Sequence, residues 1–384
     1  SVLPKLALQY LDFTLWQRQQ DLEPHWQYWR EQLGPRDEVA PDYLLEIPGA
    51  RPRPEQAAHS AAALPWQLAE LPSRHLRQLA QRLACSEFAL VFAAFALFLN
   101  RYCGRSDLFI GTPASQREDE SSQQMLGILL NNLVIRSRIR RGQNFADYVT
   151  QFQQQLFQAQ AHQALPFEQL VERLGIPRQL NHAPLYQVMV SQQLDLEAQL
   201  DWGGLQARLL PSSLRHSETD LNLQVLSGSS GPLQLELLYA SALFSANTAQ
   251  ALMQRFEHFL LQLLAHPEAE LNRHNLLSAA EIQQQKDWNE TSKHYAGPNN
   301  LVDALRGQAQ RTPNGIALSF ESESLTYAEL FQRVDNLTQA LLAHGVQRGE
   351  IIAVHLPRSV DLVVSLLAIV QAGAAYLPLE GDLP

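Results

Sequence analysis

Apolar residues recur along most of this chain at spacings of three and four, the signature of helices with one buried face. Tyr10, Phe13 and Trp16 stand three apart within 6–20, and Trp26 and Trp29 mark a second stretch over 22–33 that Gly34-Pro35 stops. This spacing predicts a helix pair pinned to a core by aromatic side chains. Residues 34–66 are rich in Pro, Ala and Arg and read as an extended connection with one strand. Leu76, Leu79 and Leu83 share a helix face, and Ser86 opens the all-apolar run FALVFAAFALFLNRY, a helix buried all round. Strand patterns lie at Asp107–Gly111 and Leu133–Ile139, and a punctuated polar connection lies between them. A helix over 144–160 carries Phe145, Val149, Phe152 and Leu156, and Pro166 starts a short one closed by Gly175. Residues 185–192 read as a strand, 219–226 and 233–239 as a hairpin-like pair, and 247–265 as an amphipathic helix.

The rhythm changes twice more. Residues 266–295 lose periodicity and gain polarity, which marks a connection. From Asn300 strands and helices alternate: strands at 316–320, 351–356 and AAYLPL, and helices starting at Leu301, Tyr327 and Ser359. That is α/β order, with a partly parallel sheet. The expected architecture is therefore an α/β sandwich over 1–270, a linker over 271–297, and a truncated α/β unit over 298–384.

Composition changes this picture little. Apolar residues make up 46% of 384, enough for a large core, and the net charge is -10. No basic block stands out, so no nucleic-acid partner is expected. There is no 18-residue apolar run, so no membrane segment is expected. Cys85 and Cys103 read as buried free thiols, which fits a cytoplasmic setting.

Candidate chemistry gathers between Asp107 and Arg136, where two strands would hold a polar connection still. The histidines are scattered without metal-ligand spacing, and no GxSxG, Walker or GxGxxG pattern occurs. Two readings stand for His162 before Pro166-Phe167: a general base, or a ring that locks the turn through backbone hydrogen bonds. Arg117 is either a solvated loop arginine or a guanidinium paired with a carboxylate elsewhere. Asn131 and Asn132 either cap a turn or present an amide to a bound acyl group.

Five segments resemble, in order, the motifs of nonribosomal peptide synthetase condensation domains. They are QYLDFTLWQRQ with HWQYWREQLG, IGTPASQR, MLGILLNNLVIR, HQALPFEQLVERL and HAPLYQVMV. LTYAEL and the segment Leu356–Pro384 resemble the first two core motifs of the adenylation domain that usually follows. The resemblance implies a chloramphenicol-acetyltransferase-like lobe, then the N-terminal part of an adenylation domain. It implies amide-bond formation between carrier-bound acyl or peptidyl and aminoacyl groups, coupled to ATP-dependent amino-acid activation. The partners implied are peptidyl or acyl carrier domains bearing phosphopantetheine, upstream and downstream, and the rest of the same megasynthetase. ATP and Mg are implied for the complete adenylation domain and none for this piece.

The family's HHxxxDG signature does not occur in these residues. The expectation is that its histidine lies upstream of Ser1, that no catalytic residue is present, and that the piece is inactive alone. Arg117 then matches the arginine that pairs with the signature's aspartate, here without that partner. Asn132 matches the family's tunnel asparagine, with the register against Asn131 open by one residue. Two alternatives remain: a naturally short, non-catalytic carrier-binding module, and a free-standing acyltransferase using His162.

Overall fold

The computed structural model describes residues 8–34, 44–117, 120–194, 215–227, 231–294, 296–298 and 300–379. The chain forms two compact units, Ser1–Trp288 and Asn289–Pro384.

In the first unit, α1 (Tyr10–Arg18) and α2 (Glu23–Leu33) precede β1 (Ala61–Gln67), α3 (Glu70–Arg82) and α4 (Glu87–Tyr102). Then come β2 (Asp107–Ser115), the one-turn α5 (Glu120–Gln123), β3 (Leu130–Arg138), α6 (Phe145–Ala161) and α7 (Phe167–Leu174). The unit continues with β4 (Val188–Leu194), β5 (Leu221–Ser227), β6 (Gln234–Ala240), α8 (Ala246–Ala265) and α9 (Ala279–Trp288). The strands form one six-stranded sheet in the order β1-β6-β5-β4-β2-β3. It is mixed: β2 with β4 and β4 with β5 run parallel, and the remaining pairs run antiparallel. The expected hairpin-like pair is β5 with β6.

Side-chain caps fix where the long helices begin. Ser86, Asn144 and Ser245 accept the backbone N–H three residues on, at 3.0, 2.8 and 3.1 Å, and each satisfies one N–H that the helix itself leaves open. Helix α4 is buried from Ala89 to Asn100. Phe92 meets Phe152 of α6 edge to face, and Phe95 meets Phe256 of α8 likewise, with centroids 4.9 and 5.1 Å apart. At the end of α4, Asn100 donates to the Arg105 carbonyl at 2.8 Å and accepts from Ser137, whose hydroxyl also pairs with Tyr148 at 2.6 Å. That small network ties α4, β3 and α6 together through buried polar groups that would otherwise be costly.

Four expectations need correcting. Helix α1 forms but buries none of its residues; Trp16 is 55% exposed. The aromatic anchor of the pair is Trp29 of α2, which is 2% exposed. The third predicted strand, begun at Leu185, starts only at Val188, because Leu185 turns the chain at a φ of 67°. The thiols of Cys85 and Cys103 are free but only half-buried, and burial pushes that of Cys103 up to about 12. The stretch expected as a linker carries structure at its start: Leu271 packs into the core, and Glu281 of α9 pairs with Arg255 of α8 at 2.7 Å.

Gly111 sits mid-strand in β2, paired with Val134 and Met189. A Cβ there would lie 2.3 Å from the Tyr186 ring, and that ring is buried. Gly111→Ala should therefore cost about 2–3 kcal/mol by overpacking. Urea melts check this, and Tyr186→Leu in the same chain should restore part of the loss through the shared contact.

The second unit contains α10 (Leu301–Arg311), β7 (Ile316–Phe320), β8 (Glu323–Thr326), α11 (Tyr327–Ala343), β9 (Ile351–Val354), α12 (Val360–Gln371) and β10 (Ala375–Pro378). Strands β7 and β8 form an antiparallel pair, β9 and β10 a parallel one. Thr326 and Glu329 form a reciprocal capping box on α11, and Ser359 caps α12. Val334, Leu330 and Leu367 centre its core. Every residue of β10 is exposed although its sequence is AYLP.

Candidate functional site

The polar positions picked out in the sequence converge at one end of the antiparallel pair β2–β3, where β2 leaves the sheet at Ser115 and β3 enters at Leu130. Strand β3 begins three residues earlier than its apolar run, so Asn131 and Asn132 belong to the ladder, opposite Ala114 and Pro113.

Asn131 is buried, and its amide is fully used. The Nδ2 donates to the carbonyls of Gln163 and Leu165, both at 2.8 Å. The Oδ1 accepts from the backbone N–H of Asn132 at 2.9 Å and of Phe167 at 3.0 Å. Phe167 is the first residue of α7, so a strand side chain caps that helix from outside. Of the two readings for this residue, the structure places it as the staple of the 163–167 turn. Asn132 is half-buried, and its backbone is engaged by its neighbour's side chain.

Arg117 lies half-buried just past β2. Its guanidinium donates to the carbonyls of Ser122 at 2.5 Å, Met125 at 2.8 Å and Gly127 at 3.0 Å. Three carbonyls occupy the guanidinium that was expected here without the signature's aspartate, and it shapes the segment 122–127 into a fixed turn. Gln116 completes the frame, its N–H bonded to the Leu129 carbonyl at 3.0 Å and its Nε2 to the Gln163 carbonyl at 3.2 Å.

His162 ends α6. Its ring stacks on Tyr28 at 4.1 Å, its Nδ1 lies 3.2 Å from the Nδ1 of His25, and its carbonyl accepts from the Trp29 indole at 3.0 Å. The ring is therefore engaged by side chains of α2, not by the backbone of its own turn. Burial, and then the neighbouring His25, hold its pKa below the ordinary 6.5; burial alone raises the Tyr28 phenol to about 12. A histidine depressed in the folded state takes up its proton more readily when unfolded. Its contribution is complete above the unfolded pKa and is lost as pH falls through the folded one. The urea midpoint should drop as pH falls below about 6.5, and His162→Gln should reduce that dependence, with His182 and His274, also lowered by burial, supplying the remainder.

Helix α1 leans on the same turn. The Tyr10 hydroxyl donates to the Ile128 carbonyl at 3.1 Å, and Gly127 has no Cβ because the Tyr10 ring occupies the place, 2.2 Å away. Between α1, His25, Gln116, Met125 and Gln163 lies a cavity of about 520 Å³. Leu126 and Ile128 point away from the unit, 87% and 79% exposed. They form, with the bare side of α1, an apolar rim around the site. Among the described residues no group of three or more His, Cys, Asp or Glu could hold a metal ion. What sequence reasoning missed was Gln116 and the α1–Gly127 contact; the glycine in MLGILL was the available signal.

The comparisons with known proteins converge. Residues 1–285 match the family model for the condensation domain, and residues 305–384 match that for the AMP-binding enzyme. The chain is 30% identical over 386 residues to surfactin synthase subunit 1 of Bacillus subtilis (strain 168), covering 100% of this chain and 11% of that protein. It is 29% identical over 387 residues to gramicidin S synthase 2 of Brevibacillus brevis, again over 100% of this chain and 9% of that protein. Among solved structures it resembles holo-AB3403, a four-domain nonribosomal peptide synthetase bound to AMP and glycine. The TM-score is 0.69 and the identity 25%, over 95% of this chain and 28% of that one. The X-domain from teicoplanin biosynthesis matches 71% of this chain and 63% of its own, with a TM-score of 0.64 and 25% identity. The chain thus spans a small share of the curated relatives it matches. It belongs to the condensation domain family of nonribosomal peptide synthetases and runs on into the start of an AMP-binding enzyme domain.

Proposed function

We propose that this chain supplies one lobe of an amide-forming site, in which a carrier-bound amine attacks a carrier-bound acyl or peptidyl thioester. The new C–N bond forms as the C–S bond breaks, and the pantetheine sulfur leaves with the proton that the amine gives up. The observation that carries this reading is the frame at the end of β2–β3. Arg117 and Asn131, both within motifs of the matched family, spend their hydrogen bonds on rigid backbone and border an apolar rim. A rigid frame of this kind positions reactants; it does not itself move protons. The proton-handling histidine belongs to a further lobe, which covers the bare side of α1 together with Leu126 and Ile128. The 384 residues alone are accordingly inactive.

Phosphopantetheine arrives on partner carrier domains as part of the substrates. The described residues 300–379 carry no glycine-rich phosphate-loop pattern. No step through ATP or Mg is assigned to this chain, and amino-acid activation belongs to the parent synthetase. No single described helix is long and apolar enough to cross a membrane, and α4, the most apolar long one, is buried in the core. Thioester chemistry on carriers and two free cysteines fit a cytoplasmic setting.

The test uses the parent synthetase that contains this chain, with both carriers loaded and intact-protein mass spectrometry as readout. The condensed product should form on the downstream carrier. Arg117→Ala should cut its formation rate by roughly 100-fold while aminoacyl loading persists, the scale expected when a positioning frame loosens. Unchanged condensation in that variant, or none in the parent, rejects the reading.

A further inference from the structure

At the opposite end of β2–β3, eight residues or roughly 26 Å along the strands at about 3.3 Å each, the fold assembles a second polar site. Its parts are distant in sequence. Arg101 sits in the last turn of α4, and Arg105 follows the Gly104 turn. Arg140 and Arg141 occupy the turn between β3 and α6. All four line one cavity of about 390 Å³, where Glu270 is the sole acidic side chain among the lining residues. In a chain of net charge -10 this is a local excess of three positive charges.

The surroundings are rigid. The Arg140 N–H donates to Gln143 Oε1 at 3.1 Å, and the Gln143 N–H returns a bond to the Arg140 carbonyl at 3.3 Å. Asn100 holds the Arg105 carbonyl, and Arg101 anchors the far wall by donating to the carbonyls of Leu271 at 2.5 Å and His274 at 3.3 Å. The arginines of the segment Arg136–Arg141 divide into two kinds. Arg136 and Arg138 both pair with Asp107, at 2.8 and 2.9 Å. Arg140, Arg141 and Arg105 make no ion pair among the described residues. Unpaired guanidinium groups gathered in a concavity repel one another, and a bound anion relieves that repulsion.

We propose that this pocket binds a phosphate-bearing ligand, its oxygens received by Arg105, Arg140 and Arg141. Guanidinium forks match phosphate oxygens two at a time, which suits the pocket to that class of anion. The shared chemistry has two sources, a free diphosphate or the phosphate of a pantetheine arm.

The test is a thermal-melt and calorimetric titration of the 384-residue chain with inorganic pyrophosphate and, separately, with 4′-phosphopantetheine. Sodium chloride at matched ionic strength is the reference. A saturable rise in melting temperature beyond the chloride control is expected for at least one probe, and the stronger of the two names the source. The double variant Arg140→Gln/Arg141→Gln, both exposed and therefore compatible with folding, should weaken binding roughly tenfold or more. Arg105→Gln should do the same, with circular dichroism confirming the fold of each. No effect beyond chloride from either probe overturns the proposal. So does binding that survives in both variants.

Discussion

Asn131→Leu should lower the stability of the first unit by about 3–4 kcal/mol in urea melts. The amide makes four hydrogen bonds from a buried position. The Gln163 carbonyl keeps a second partner in Gln116. The Leu165 carbonyl and the Phe167 N–H depend on Asn131 within that turn, and a buried polar group stranded this way costs about 1–3 kcal/mol. Leucine fills similar space and supplies none of the four bonds, so the loss measures the bonds rather than a cavity. Asn132→Leu is the matched control, because that side chain contributes to none of the four; it should cost less than about 1 kcal/mol. Equal losses at both positions would show that the staple is not built on Asn131. The pair also tests which of the two adjacent asparagines holds the turn beside the site.

Phe95→Ala should cost more, about 3–5 kcal/mol, the range for emptying a large aromatic site in a tight core. Phe95 is fully buried on α4, edge-on to Phe256 of α8 and 6.1 Å from Phe98. Its neighbours are held by a capped helix on either side, so the void cannot close by sliding α4. A loss below about 1 kcal/mol would mean that α4 is not the close-packed centre of this unit. Tryptophan emission should follow the same transition, since Trp29 is buried in the same core cluster.

The elements that sequence reasoning located best are those whose pattern and packing agree. The apolar run 88–99 could only be a buried helix, and Ser86 set its start. The alternation of Leu221, Leu223 and Val225 gave β5 its face. Reading failed where tertiary contact overrides local pattern. Asn131 and Asn132 were expected beside a strand and lie within it, and the turn that Asn131 caps lies 32 to 36 residues away, beyond the reach of local pattern. For Arg117 the sequence offered solvent or a distant carboxylate, and the carbonyls that occupy it, five to ten residues downstream in the same loop, leave no pattern to read. The aromatic spacing of α1 is genuine, but nothing in periodicity says whether the partner of an amphipathic face belongs to the same unit. The arginine pocket was invisible for a simpler reason: Arg101 and Arg105 lie 35 or more residues before Arg140 and Arg141, and half of the local arginine run is spent on Asp107.

The pairing of β1 with β6 joins Ala61 to Ala240 and Gln67 to Gln234. Ribosomes add about 5–20 residues per second. The first strand of this sheet is therefore complete roughly 10–35 s before the last residue it must pair with has been made, on that scale. During that interval β1 is a free strand on a nascent chain, open to the wrong neighbour. It carries Pro65 at its centre, which withholds one backbone donor. A strand so interrupted is a poor template for another chain, yet it still finds its place at the edge of the finished sheet.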